Sequence, residues 1–320
     1  MSVQLKTVLG KHAQLAGVRQ LTEIMPGVGF DFVDIKRMPD AYRDMARTQP
    51  YDICEMAPTM YLMALERGAQ ITALPIPMTR KFRHSGIKKR KGVVIESPKQ
   101  LEGRKVGVRN YSVTAAVWTR GVFADDNGLD ASKVQWITEE AENLDDMALP
   151  ANVTRLPAGR KIADAINAGE IDVAFDGLAG AGDAQVEMEE LVADVAKVER
   201  QWFERTGIYP IHGVIVVKND VLKNHPGIGL ALYEHFVRSK EDYLQSLDAV
   251  KEPSGDDKRY LKLRQYVGDP LPYGLEENRA SLQALIRYAH SQGLVGKEVQ
   301  ADSIFIDPRT AAAGEAANWK

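Results

Sequence analysis

The string FRHSGI, residues 82–87, sets a guanidinium, an imidazole and a hydroxyl side by side as Arg83, His84 and Ser85, in a chain with only six histidines. Arginine holds carboxylates through parallel N–H donors and histidine titrates near neutral pH. Together they suit proton transfer to a bound organic anion. A second grouping is the polar turn Arg109-Asn110-Tyr111-Ser112 ahead of an apolar helical run. Ser112 or Thr114 can cap that helix and leave backbone N–H groups directed outward beside Arg109, a ready anion site. Lys11 and His12 follow the first predicted strand, Glu55 and Asp176 stand where two others end, and His212 lies in IYPIHGVIVVK. Each has a plainer reading. Exposed arginines form weak surface ion pairs, a single histidine is more often structural, and Asp176 before Gly177 suits a turn. Lys11 and His12 can face solvent, and Phe82, Tyr111 and Trp118 suit core packing as well as an aromatic wall.

These side chains need strands and helices to position them. LKTVL and FDFVDI (30–35) read as strands, with Leu15, Val18 and Leu21 on a helical period between them. Pro39 opens a helix DAYRDMART, followed by the short strand YDICEM, the helix PTMYLMALERG and the strand ITALPI. The segment RKIADAINAGEIDVAFDG repeats the pattern: a helix through Ile162, Ala165 and Ile166, a stop at Gly169, then a strand carrying Asp172 and Asp176. Alternating strands and helices imply parallel sheets, which bind ligands outside their carboxyl ends. Between the two units come a strand KGVVIES, a helix start at Ser97-Pro98, the strand KVGV and a helix ending at Asn127-Gly128. Residues 211–222 read as an apolar strand, with helices at about 226–248, 258–266 and 275–292. Residues 142–158 hold two prolines and no clear period, which predicts a loop of functional length.

The 320 residues correspond to about two domains, with 44% apolar and 27% charged residues, the profile of a globular protein. A net charge of −3 offers no field for nucleic acid, and the run Lys88-Lys89-Arg90-Lys91 reads as a solvated turn. A single cysteine, Cys54, excludes an internal disulfide and a cysteine-based zinc site. The first residues lack the apolar stretch of a secretory signal and no run is long enough to span a membrane, so a cytoplasmic location is expected.

The strings PYDICEMAPTMYLMA, FRHSGI, LEGRKVGVRNYSVTAAVWTRGVFADDNGL and IYPIHGVIVVK resemble the 4,5-dihydroxyphthalate decarboxylase family. The likeness covers roughly residues 40 to 290. The first strand departs from the family pattern, running into Gly10-Lys11-His12-Ala13 instead of a Gly-Asp-Tyr type turn. The resemblance implies an α/β, two-lobed type 2 periplasmic-binding-protein-like fold with two hinge crossovers and a helical C-terminal part. Lobe one would take 1–96 plus 220–320 and lobe two 97–219, with FRHSGI and YPIHGVIVV near the crossovers and His84 approaching His212.

The implied reaction is decarboxylation of a hydroxylated aromatic acid, a step in bacterial phthalate degradation. His84, His212 and Glu55 are then the acid–base candidates. Arg83, Ser85, Arg109, Tyr111, Ser112, Thr114, Asp176, Lys11 and His12 are the candidates for holding the small aromatic carboxylate. The ring and its hydroxyl serve as electron sink, so no cofactor is required. A metal site from His84, His212 and Glu55 lacks close ligand spacing. Homo-oligomerisation stays open. Two other readings share the fold: a solute-binding protein for a small organic anion, and a different enzyme on the same scaffold.

Overall fold

The described residues, 2–175 and 187–320 of a computed structural model, fall into two units. Unit one comprises Met1–Lys81, Ile211–Gln283 and Val299–Lys320, and unit two Phe82–Pro210 and Ala284–Glu298. In chain order the first part of unit one holds β1 (Val3–Val8), β2 (Val28–Phe32), α1 (Met38–Arg47), β3 (Ile53–Met56), α2 (Pro58–Glu66) and β4 (Ile71–Arg80). Unit two follows with β5 (Ile87–Arg90), β6 (Lys105–Val108), α3 (Thr114–Asn127), β7 (Gln135–Thr138) and β8 (Val153–Arg155). It continues through α4 (Ile162–Asn167), β9 (Val173–Phe175), β10 (Met188–Glu190) and α5 (Val195–Thr206). The chain then returns through β11 (Ile211–Lys218), α6 (Asn219–Asn224), α7 (Ile228–Ser246), α8 (Gly255–Val267) and α9 (Leu275–Ser291).

The sheet of unit one has the order β2-β1-β3-β11-β4, with β1 parallel to both β2 and β3 and with β11 antiparallel to β3 and β4. Because β1 lies between its two successors, the chain leaves it on one side and comes back on the other. The carboxyl ends of β1 and β3 are therefore a topological switch point, where α/β sheets open a crevice. Leu5, Leu15, Ile53, Ile76, Ile215, Phe236 and Tyr260 are buried together behind it. The helical period at Leu15, Val18 and Leu21 resolves into two short 3₁₀ turns, Ala13–Leu15 and Val18–Gln20. Ser239 of α7 accounts for the break. Its hydroxyl donates to the Gln14 carbonyl (2.7 Å) and accepts the Gly17 N–H (3.0 Å), taking backbone groups that a continuous helix would pair internally.

In unit two the order is β10-β5-β9-β6-β7-β8, and β6 is parallel to β7 and β9. Here too the first parallel strand is flanked by later ones on both sides, a second switch point. The helix α3 ends where expected, at Gly128 in the left-handed region (φ 66°). Other expectations change. The basic run is strand β5, not a turn, because β10 sets Glu189 and Glu190 opposite Lys89 and Lys88 (3.2 and 3.7 Å) and Asp172 pairs with Arg90 at 2.7 Å. The strand expected at KGVVIES thus lies earlier, and residues 153–155 of the expected loop form the short parallel strand β8.

The division of the chain also differs from 1–96, 97–219 and 220–320. Strand β5 is hydrogen-bonded into the second sheet and β11 into the first, which moves the passages to 81/82 and 210/211. Residues 284–298 belong to unit two, where Arg287 pairs with Asp125 (2.6 Å) and the side chain of Gln292 accepts from Arg120 (2.7 Å).

Candidate active site

At the switch point of unit one, Glu55 of β3 is only 3% exposed and yet holds three hydrogen bonds. Its Oε2 accepts the Gly10 N–H at 2.8 Å and lies 2.8 Å from His12 Nε2, while Oε1 accepts the Tyr42 hydroxyl at 3.1 Å. The backbone makes room for this carboxylate. A Cβ on Gly10 would lie 2.6 Å from Oε2, and one on Gly213, where β11 shifts register against β4, would lie 2.7 Å from Oε1. Arg19 fixes the end of β1 by donating to the Leu9 and Gly10 carbonyls (2.7 and 2.9 Å). Tyr42 comes from α1, and Pro58 opens α2 immediately after β3.

His12 keeps 19% of its side chain exposed, so the pair has one buried and one accessible member. Burial disfavours the imidazolium, but the hydrogen bond to Glu55 and the Glu55 charge outweigh it and raise the pKa above 6.5, with Asp256 adding to the rise and Arg19 opposing it. Burial and the neighbouring Glu55 push the Tyr42 phenol well above its ordinary range, so it stays a protonated donor. The arrangement is a partly exposed acid, backed by a fixed carboxylate, that holds its proton near neutral pH.

The corresponding strand end of unit two differs. Here the backbone N–H groups of Tyr111 and Ser112 and the Ser112 hydroxyl all donate to one carboxylate, Glu142, at 2.6, 3.0 and 2.6 Å. The expected cap at Ser112 or Thr114 is absent: Val113 is the N-cap and offers no side-chain acceptor. Tyr111 is a support, buried with its ring 3.9 Å from the Arg120 guanidinium carbon and its hydroxyl on the Gln292 carbonyl at 3.3 Å. Thr114 is buried at the first turn of α3. Arg109, expected as the anchor, is 53% exposed and points its Nε at Glu140 from 3.8 Å.

FRHSGI is a bend leading into β5, not part of a strand. His84 is 1% exposed, boxed by Trp202 and Phe123, with Nε2 3.3 Å from Asp126. Burial lowers its pKa to about 4 against the pull of Asp126, with the Arg205 charge lowering it further, so the ring is neutral at physiological pH and has no face open for proton delivery. That corrects the expectation of an acid at His84. Ser85 is likewise engaged, with its N–H and hydroxyl both on Glu199 (3.3 and 3.1 Å), and Arg83 is half-buried beside it. His212, in unit one, sets Nε2 3.2 Å from the Lys81 carbonyl oxygen, tying β11 to the residue that ends this stretch of the unit. Lys11 is exposed next to His12. Asp176 lies outside the described residues. His84 belongs to unit two and Glu55 and His212 to unit one, and among the described residues no cluster of three His, Cys, Asp or Glu side chains is arranged around a metal.

Tyr42, Arg19, Gly10, Gly213 and Glu142 carry this geometry without having been singled out by sequence. Gly213 was the most legible of them, since an isolated glycine in an apolar strand marks a bulge or a close approach. Tyr42 had only its place on the helix between two strands.

No protein-family profile matches the chain. A protein named 4,5-dihydroxyphthalate decarboxylase from Comamonas testosteroni is 29% identical over 276 residues, covering 81% of this chain and 83% of that one. One of the same name from Pseudomonas putida is 35% identical over 134 residues, 39% of this chain and 52% of its own length. Among solved structures, the periplasmic aliphatic sulphonate-binding protein SsuA of Escherichia coli aligns with a TM-score of 0.57 at 15% identity, covering 100% of this chain and 96% of that one. The desulfurization enzyme DSZB aligns with a TM-score of 0.51 at 13% identity, over 95% and 96% of the two chains. The chain is a sequence relative of the 4,5-dihydroxyphthalate decarboxylases built on the α/β fold of the periplasmic solute-binding proteins.

Proposed function

We propose that this chain is a carboxy-lyase that removes carbon dioxide from a hydroxylated aromatic acid of the 4,5-dihydroxyphthalate type, with His12 as the proton donor. The observation that carries the reading is the His12–Glu55 pair at 2.8 Å on the switch point of unit one, in a chain whose curated relatives are named decarboxylases. Glu55 occupies Nε2 of the imidazolium, which leaves the Nδ1–H for the substrate. The phenol oxygen para to the departing carboxylate feeds electrons into the ring. The ring carbon takes the Nδ1 proton, the bond to the carboxylate breaks, and its electron pair restores the aromatic ring as carbon dioxide leaves. Neutral His12 keeps its Nε2–H on Glu55 and recovers a proton from water at Nδ1. No step draws on a cofactor.

The test is carbon dioxide release from 4,5-dihydroxyphthalate by the purified protein. Turnover in the wild type and a fall of about 10²- to 10⁴-fold in His12→Gln, with the melting temperature held, is the expected result. Wild-type protein that binds the acid without releasing carbon dioxide contradicts the reading and favours a binding protein.

A further inference from the structure

The turn before α3 has the composition of a carboxylate seat, and it holds a carboxylate. Two amides and a hydroxyl, from Tyr111 and Ser112, converge on the two oxygens of Glu142. Behind the turn lies Arg120, 1% exposed. Its Nη2 donates to the Tyr111 carbonyl at 2.6 Å, and its Nη1 is buried with no hydrogen-bond partner among the described residues. No carboxylate is hydrogen-bonded to this guanidinium: its printed partners are the Tyr111 carbonyl and the Gln292 amide oxygen. A buried cation with a spare donor beside three converging donors is a site for a negative charge. The charge supplied is not fixed in the way Glu55 is. Glu142 is half-buried and sits in the stretch from 139 to 152 that has no helix or strand. Residues 139 and 140 are pinned by their N–H groups to the Arg109 carbonyl (3.1 and 2.8 Å), and Glu142 reaches the seat two residues beyond that anchor.

We propose that Glu142 is a displaceable internal ligand, and that the seat formed by Tyr111, Ser112 and Arg120 takes the carboxylate of an incoming aromatic acid in its place. The choice of an aromatic acid rests on the decarboxylase reading, whereas the seat itself does not. Exchange of one carboxylate for another conserves the hydrogen bonds and the charge beside Arg120, so displacement costs only the closed arrangement of the loop. A seat that is self-occupied nine-tenths to ninety-nine hundredths of the time lowers apparent affinity by about ten- to a hundredfold.

The sign of the effect makes the proposal testable with phthalate as a non-reacting probe, titrated calorimetrically into the full chain. Glu142→Ala is expected to bind phthalate at least about tenfold more tightly than wild type. Adding Ser112→Ala to that variant is expected to reverse most of the gain. Glu140→Ala, which removes a nearby surface charge but no seat contact, is expected to change affinity less than about twofold and so separates displacement from general repulsion. Unchanged or weaker binding in Glu142→Ala, an equal gain in Glu140→Ala, or no phthalate binding by either wild type or Glu142→Ala would each overturn the seat. Failure of carbon dioxide release alone would overturn the decarboxylase reading and leave the seat standing.

Discussion

Both switch points of this molecule clasp an internal carboxylate, and they do it with different materials. At the end of β1 and β3 the carboxylate is Glu55, rooted in a buried strand, and one of its three partners is a titratable ring that is partly exposed. At the end of β6 the carboxylate is Glu142, carried by irregular chain, and all of its printed donors are two amides and one hydroxyl. A rigid carboxylate against an imidazole raises that imidazole's pKa and keeps a proton available. A loop-borne carboxylate against fixed N–H groups only fills a place. The same topology thus yields an acid in one unit and an anion seat in the other, and the difference lies in what the fourth to sixth residues after each strand contribute.

The two clasps should respond oppositely to truncation. Glu55→Ala is expected to lower kcat by a hundredfold or more in a carbon dioxide release assay, because an uncompensated burial term then discharges His12 and the ring loses its orientation. Glu142→Ala is expected to lower KM in the same assay. Loss of kcat in both, or a lowered KM in both, would erase the distinction.

The next largest effect concerns His84, which belongs to neither clasp. His84→Ala opens a void among Trp202 and Phe123 and is expected to cost about 2–4 kcal/mol in denaturant unfolding while the folded protein keeps its kcat. The pH dependence follows from the lowered folded-state pKa. Between pH 6.5 and about 4 the unfolded chain binds a proton at His84 that the folded chain refuses, so stability falls as pH drops through that window. In His84→Ala that part of the acid sensitivity should disappear. The smallest effect is expected at Arg109, whose exposed contact at 3.8 Å is worth little: Arg109→Ala should shift KM less than about twofold.

The strands and helices that frame the site were readable because their signals are local: Pro58 after β3, Gly128 after α3, and the alternation of strand and helix that implies carboxyl-end crevices. The pairing of acid and base was not. His12 and Glu55 are 43 positions apart, and Ser112 and Glu142 are 30 apart, so each residue type was visible while its partner depended on sheet order. His84 misled for a related reason. Its neighbours in sequence, Arg83 and Ser85, suggested an active-site corner, whereas its surroundings in space are two aromatic rings and Asp126. The helix expected through Leu15 and Val18 failed because Ser239, 225 positions beyond Gln14, competes for its backbone.

The central claim is that Glu55 keeps His12 protonated for use as an acid, and the pH–rate profile of kcat for wild type and Glu55→Gln tests it most directly. The active form carries the proton, so the wild-type rate should be high at low pH and fall as pH rises through a pKa above 6.5. In Glu55→Gln both raising influences from Glu55 are gone and burial remains, so the fall should move to below 6.5. A falling limb at the same pH in both proteins would contradict the account.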